Sequence, residues 1–456
     1  MSLTLVLLLV YSLTMAGLGV WIGRHVRASG DFFVAGRSLG STLIFATFLA
    51  GNIGAGSTVG AASLAFRDGI SAWWWNASAG LGSLVLALTV GPRMWRESVA
   101  HGDLTLGDFL ERRYGRNLRL AVAVLIWIGT LSILAAQLLG MSTIFQVVGG
   151  ASKFVGCALG AALVSIYFVA GGLLSSAYVN LLQLGVKLVG FVIVAPVAMA
   201  LAGGWDSIAA DPLRMDLLAG GSPQSGWRLL FFLGPAFVVS PGLIQKALGA
   251  RDERAVTTGI ALNGVALVAF AALPTIIGMS AQVLHPEISR DLAFATMANG
   301  LTPAVGALAL AAVFSAEASA ADAVLLMLAT SGSRDLYRRF RPQATDVDLL
   351  RAARVSAIAG AVLGLGLAMM HRSVIDALGT FYAVMVVTLF VPVIAGLYAP
   401  PTSRRQGVAS LVGVPVLAIV HFSTGGAGFG AVTPVVAGVF ASAAGYVTAR
   451  QRKSEL

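Results

Sequence analysis

The sequence predicts an all-α polytopic membrane protein of about thirteen transmembrane helices, on three observations. Of its 456 residues, 57% are hydrophobic and only 11% are charged, against roughly 25% charged residues in an ordinary soluble domain. Apolar runs of about twenty residues recur from end to end, the length that crosses a hydrocarbon slab roughly 30 Å thick at 1.5 Å per residue. Finally, the basic residues concentrate in every second connecting segment.

The spans fall at 2–23, 39–62, 70–95, 118–148, 152–171, 174–202, 227–247, 255–281, 301–332, 352–370, 373–397, 404–421 and 426–448. The first segment, Ser2 to Gly23, lacks a basic leading region and a small-residue cleavage site, so it reads as a retained helix rather than a signal peptide. One set of alternate segments holds Arg24, Arg27, Arg37, then Arg93, Arg96, Arg112, Arg113, Arg116, Arg119, then Lys246, Arg251, Arg254. It continues with Arg334, Arg338, Arg339, Arg341, Arg351, Arg354, then Arg404, Arg405, and ends with Arg450, Arg452, Lys453. That is about 23 of the 30 basic residues, against about six on the other face. Loops retained in the cytoplasm are enriched in Lys and Arg, so the N-terminus is expected outside and the C-terminus inside, in a cell inner membrane.

The same distribution explains the net charge of +10 without a nucleic-acid partner, because no single basic patch forms. Cys157 stands alone and cannot close an internal disulfide or build a thiolate metal cluster. The five histidines (His25, His101, His285, His371, His421) are scattered, with no paired spacing for metal binding or acid–base work. Gly425-Gly426-Ala427-Gly428 precedes a membrane span rather than a strand-to-helix nucleotide turn. The sequence therefore reads as a non-enzyme that needs no cofactor, and it shows no feature that demands a protein partner.

A membrane helix can lose backbone hydrogen bonds only where protein or a water-filled cavity replaces them. Two spans carry such an interruption: Ala50-Gly51-Asn52-Ile53-Gly54-Ala55-Gly56-Ser57 in the second and Val238-Val239-Ser240-Pro241-Gly242 in the seventh. They lie five spans apart. Spans two to six and seven to eleven then form two five-helix halves of opposite orientation, each opening on a broken helix whose free carbonyls and amides can hold an ion and a solute. The expected organisation is an extra helix and first cytoplasmic loop at 1–38, the first repeat at 39–202 and an external loop at 203–226. The second repeat follows at 227–397, then two extra helices and a short cytoplasmic tail at 398–456.

Four stretches carry a family resemblance. They are Asp31-Phe32-Phe33-Val34-Ala35-Gly36-Arg37-Ser38, Glu111-Arg112-Arg113-Tyr114-Gly115, the run Tyr167 to Gly171-Gly172-Leu173 with Gln183 downstream, and Phe314-Ser315-Ala316-Glu317-Ala318-Ser319-Ala320-Ala321-Asp322 followed by Arg334-Asp335-Leu336-Tyr337. In this order they resemble the sodium/solute symporter family of sodium-coupled sugar, proline and pantothenate carriers. The resemblance implies a five-plus-five inverted-repeat core of the leucine-transporter type and cation-coupled symport of a small solute. It also implies a sodium site made of carbonyls of the first core helix and of a carbonyl with two adjacent hydroxyls of the eighth. Here those positions are Ala50, Ile53, Ala316 and Ser319, while Ala320 stands where the second hydroxyl belongs. Asn180 stands where many members place an acidic residue before the Gln183 motif.

Lys187 lies well inside the sixth span, where an ionised side chain costs on the order of 3 kcal/mol or more unless it reaches water or a partner. Counted from Leu174 it is 13 residues deep, roughly 20 Å, and Ser319 is roughly 21 Å from its own cytoplasmic end. Three readings follow: the ammonium replaces sodium, giving a proton-coupled carrier or an exchanger, it snorkels or pairs statically with Glu317, or sodium binds despite Ala320. Asp322, three residues beyond Ser319, either guides cations from the cytoplasmic side or only accepts hydrogen bonds. Asn52, Ser57, Asn76, Ser240 and Gln245 are the candidate contacts for a small polar organic solute. Trp73-Trp74-Trp75 beside Asn76 reads first as an interfacial anchor. A channel would need a selectivity ring, and none is visible. A solute sensor is the remaining alternative: the tail Ala449 to Leu456 is too short to be a fused signalling domain, and a solo sensor would bind solute without counterflow.

Overall fold

The computed structural model describes residues 35–218, 226–399, 402–429 and 432–451, with scattered positions between 6 and 21. The expected first span at 2–23 lies largely outside the described residues, as do Asp31 to Val34, part of the external loop, Arg452 and Lys453. Nothing is described of the side chains of Tyr167 or of residues 169–178, so that part of the family pattern is not tested at side-chain level.

All regular elements among the described residues are helical. α1 (Ser41–Asn52) is followed by a π-helical turn at Gly56–Gly60 and α2 (Ala61–Asp68). α3 (Trp73–Val85) and α4 (Gly91–His101) continue the chain to the short α5 (Leu106–Tyr114), then α6 (Arg116–Gly149) and α7 (Lys153–Leu201). The second half holds α8 (Leu229–Val239), α9 (Pro241–Leu248), α10 (Glu253–Phe270), α11 (Ala272–Leu284), α12 (Pro303–Thr330), α13 (Asp346–Met370) and α14 (Val374–Tyr398). α15 (Arg404–Ser410), α16 (Gly413–Ser423) and α17 (Pro434–Gln451) close it.

Eight helices among the described residues are long and apolar enough to cross a membrane, and nine if α1 is joined to the bent segment after it. The described residues thus support eight or nine of the expected spans. The two spans expected at 152–171 and 174–202 lie on one unbroken helical stretch of 49 residues, Lys153–Leu201. At 1.5 Å per residue that stretch would be about 74 Å if straight, too long for one crossing. Its described portions Lys153–Ile166 and Val179–Leu201 are both apolar.

Helix boundaries follow local chemistry. Thr105 with Asp108, Thr345 with Asp348 and Ser403 with Gln406 form reciprocal capping boxes, each satisfying otherwise orphaned backbone donors at a helix start. Gly69 adopts φ 72°, a conformation open to glycine, and turns the chain between α2 and α3.

The arginine-rich segments meet at one end of the bundle. Arg37 donates to the Ser98 Oγ (2.9 Å) and to the Asp103 carbonyl (2.7 Å). Arg112 pairs with Glu97 and Asp103, and Arg113 with Glu97. Arg119 pairs with Asp108 and Glu111 and donates to the carbonyl of Arg334. Segments far apart in sequence therefore share one charged face, as alternation requires. α3 and α10 cross at two glycines: a Cβ on Gly80 would lie 2.7 Å from the Gly264 carbonyl, and one on Gly264 would lie 2.8 Å from the Gly80 carbonyl. Small residues of this kind let membrane helices touch backbone to backbone.

Candidate ion and solute site

The first break is three residues long. α1 ends at Asn52, Ile53 turns away with φ −87° and ψ 86°, and helical structure resumes at Gly56 with a 61° change of direction. Its loose ends are satisfied by side chains, as a buried break requires. Ala55 N–H donates to Gln137 Oε1 at 2.8 Å, Ser57 Oγ donates to the Asn52 carbonyl at 2.6 Å, and Thr58 Oγ1 donates to the Gly54 carbonyl at 2.9 Å. Gly54 must lack a side chain, because a Cβ there would collide with Ala320 and with Gln137 Oε1.

The carbonyls at the end of α1 point at Lys187 on α7. Its Nζ donates to the carbonyls of Ala50 (2.8 Å) and Ile53 (3.2 Å) and to Ser319 Oγ (2.6 Å). An ammonium has three N–H donors and no acceptor, so these oxygens use its whole capacity. Ser319 Oγ in turn is within donating distance of the carbonyls of Ala50 (2.7 Å) and Ala316 (3.1 Å). The group is fully buried, with Lys187 and Ser319 both at 0% exposure. It also sits at a helix C-terminus, where unpaired carbonyls and the macrodipole favour positive charge.

Ala50, Ile53, Ala316, Ser319 and Lys187 are thus brought together. Ala320 is not an oxygen donor in this group; its methyl packs against Gly54. Glu317 is buried, but among the described residues it forms no ion pair with Lys187. Its Oε1 lies 2.9 Å from Thr58 Oγ1, whose one proton is shared between it and the Gly54 carbonyl, and Oε2 has no hydrogen-bond partner among the described residues. Among the described residues Lys187 forms no ion pair with Glu317, and it is buried rather than turned outward. Asn180 is buried two helical turns before Lys187. Asp322 is buried one turn beyond Ser319 and close enough to Lys246 for their charges to interact.

The solute candidates divide. Asn52 Nδ2 donates to Asn263 Oδ1 (3.1 Å), Ser57 Oγ reaches the Asn52 carbonyl, and Asn76 Nδ2 donates to the Ser57 carbonyl (3.0 Å). Asn76 Oδ1 and Asn263 Nδ2 are buried without a hydrogen-bond partner, one an acceptor and the other a donor. Aromatic rings adjoin this cluster: Trp75 contacts Tyr382, which also meets Phe232, Phe237 and Phe381. Ser240 is the half-buried residue of the second break, with φ −57° and ψ 120°. Gln245 is elsewhere, donating to the Leu104 carbonyl at 3.0 Å and lining a cavity with Pro241, Met327 and Thr330.

Sequence reasoning missed Asn263, Thr58 and Gln137, single polar residues in apolar runs with no motif around them. It also misplaced Lys246, which counts among the loop residues by position. Lys246 lies inside α9 and is 1% exposed, with its Nζ on the Thr47 carbonyl at 2.7 Å. The span expected at 227–247 contains it, but the nearby Arg251 and Arg254 drew it into the count of loop residues.

Residues 32–424 match the sodium:solute symporter family. The chain belongs to that family. As a member of the sodium:solute symporter family it is a cation-coupled symporter of a small solute. It is 22% identical over 450 residues to the osmoregulated proline transporter of Bacillus subtilis, covering 93% of this chain and 90% of that protein. It is 25% identical over 390 residues to the sodium/pantothenate symporter of Escherichia coli, covering 80% and 78% respectively. Its fold is that of a Na⁺-coupled sialic acid symporter solved in a substrate-bound, outward-open state, with a TM-score of 0.85 at 15% identity over 99% of this chain and 98% of that one.

Proposed function

We propose that this symporter carries a small polar organic solute by alternating access and that its coupling cation is a proton held at Lys187 in place of sodium. The observation that carries the proton reading is the position of the Lys187 ammonium, 2.8 Å from Ala50 O, 3.2 Å from Ile53 O and 2.6 Å from Ser319 Oγ. These are the oxygens that the family resemblance assigns to sodium. They do not fit a sodium ion while the ammonium is bonded to them, and Ala320 supplies no further oxygen. Kinship supports the other reading, since the pantothenate relative is named for sodium.

The chemistry of a lysine switch follows from its donor count. A protonated Lys187 ties α7 to α1 and α12 through three charge-assisted bonds, each roughly twice as strong as a neutral one. A neutral amine keeps two donors and gains a lone pair, which no carbonyl can answer. Proton loss therefore loosens the contact between the first broken helix and α7 and α12. That is the differential contact a coupling ion must make between two states. The solute would sit by the Asn52, Ser57, Asn76 and Asn263 cluster beside the break, so both ligands act on one broken helix. The N-outside, C-inside topology belongs to this proposal as well.

Reconstituted vesicles decide between the cations. Uptake would be followed with proline, pantothenate, glucose and sialic acid as first solutes, with sodium and proton gradients imposed separately. The expected result is uptake driven by an inward proton gradient, indifferent to sodium and lost in Lys187→Met. A strict sodium requirement in the unmodified protein would overturn the proton reading and leave the symport reading standing.

A further inference from the structure

A second lysine is buried in the bundle, and the cation site does not use it. Lys246 is on α9, the half-helix after the second break, and every residue from Pro241 to Leu248 is buried. Its ammonium crosses to the first broken helix, where Nζ donates to the Thr47 carbonyl at 2.7 Å. An intramembrane charge is expensive enough to demand a purpose. Space has been cleared for this one: a Cβ on Gly51 would run into the Lys246 ammonium. Asp322 on α12 lies within electrostatic range of the same ammonium.

Thr47, Ala50 and Ile53 are spaced three residues apart along the end of α1. The first accepts from Lys246, and the other two accept from Lys187. One half-helix therefore carries both ammoniums, one brought by the first repeat and one by the second. The charged end of the bundle reinforces the tie to α9: Leu39 N–H donates to the Gly249 carbonyl (3.1 Å), and Arg251 N–H donates to the Leu39 carbonyl (3.0 Å).

Two cavities adjoin the same end of the bundle. A cavity of ≈ 350 Å³ is lined by Asp108, Glu111, Arg116, Arg119, Arg334 and Arg338, among others. It shares Arg119 with a narrower cavity that ends on Pro241 and Gln245 of α9, opposite Met327 and Thr330 of α12. Residues of the half-helix that carries Lys246 thus line the cavity that adjoins the arginine-rich one.

We propose that Lys246 is a positioning residue of the transport cycle. Its ammonium bolts α9 to α1 through the Thr47 carbonyl, and the passage from the arginine-rich face to the breaks opens only when that bond is released. This rests on the alternating-access reading and not on the identity of the coupling ion.

The test reads accessibility rather than transport. In a Cys157→Ser background, Ala323→Cys places a thiol beside Gly51 and the Lys246 ammonium. A membrane-impermeant thiol reagent is applied to the arginine-rich face in inside-out vesicles, with no ion gradient. Lys246→Met should label about tenfold faster than the parent, the scale of one lost hydrogen bond to a charged group, and Lys246→Arg should return toward the parent rate. Gly51→Ala displaces the ammonium while keeping the lysine, so it should also label faster; it decides the matter if Lys246→Met does not fold. Parent-like labelling in both folded Lys246→Met and Gly51→Ala overturns the proposal, as does an arginine variant that labels like the methionine variant. Without a gradient, failure of the proton reading leaves this result untouched.

Discussion

The two broken helices stand at matching places in the chain, yet they differ in almost every chemical detail. The first opens over Ile53, Gly54 and Ala55 and is held by Gln137, Ser57, Thr58 and Lys187. The second breaks at one residue, Ser240, between a helix containing Pro235 and a helix that starts with Pro241. Proline needs no hydrogen-bond partner for its nitrogen, so the second break leaves little backbone to satisfy. It sends its charge away instead, since Lys246 reaches across to Thr47. The lesson is that a shared backbone plan does not imply shared chemistry. The first broken helix receives charge, and the second supplies it.

The largest effect that would break this contrast is the removal of Lys187. Lys187→Met should lower proton-driven uptake by about 100-fold or more, because three charge-assisted bonds to the first break disappear together. Adding a second hydroxyl sharpens the experiment. In Lys187→Met with Ala320→Ser, the vacated oxygens regain the hydroxyl that the family pattern places there. Any uptake that returns should depend on sodium. Sodium-independent recovery would mean that these oxygens do not determine which cation is coupled.

Ser319→Ala is a smaller intervention at the same place. It deletes one acceptor from the ammonium and one donor to the Ala50 and Ala316 carbonyls, and leaves the lysine on two carbonyls. Uptake should fall about tenfold, consistent with one hydrogen bond to a charged group. Gly54→Ala tests the steric side, because its Cβ would meet Ala320 and Gln137. It should destabilise the folded protein by about 1–3 kcal/mol, the usual range for overpacking a tight core. The melting temperature in detergent would show this. Substitution of Gly234 in the second broken helix should be milder, since a Cβ there lies 3.5 Å from the nearest atom, Leu230 Cδ1.

The contrast also explains what the sequence could reveal. The first break was legible because Gly51, Asn52, Gly54, Gly56 and Ser57 interrupt an apolar span, and few packing needs produce such a run. Lys187 was legible as an isolated charge at mid-span, and its counted depth, close to that of Ser319, agrees with the 2.6 Å bond between them. Lys246 was not, because α9 is short and a lysine five residues from Arg251 looks like part of a basic loop. Asn263 was invisible for another reason: one amide in α10 leaves no periodic signal, and its relation to Asn52 exists only after α1 and α10 meet. The two spans expected at 152–171 and 174–202 run through one helical stretch, so no break in the backbone separates them.

The smallest expected effect separates the two groups of solute candidates. Asn52, Ser57, Asn76 and Asn263 form one connected cluster at the first break, whereas Gln245 on the second broken helix spends its amide on the Leu104 carbonyl. Asn263 Nδ2 and Asn76 Oδ1 are the unpartnered donor and acceptor, which a polar solute can satisfy without breaking an existing bond. Asn263→Ala should therefore raise KM about fivefold to tenfold with kcat little changed, the loss of roughly one hydrogen bond made equally in the bound and moving states. Gln245→Ala should leave KM within about twofold, since its partner is protein backbone at a cavity wall. If the two variants exchange behaviour, the solute sits beneath the second break, and the division of labour between the broken helices is reversed.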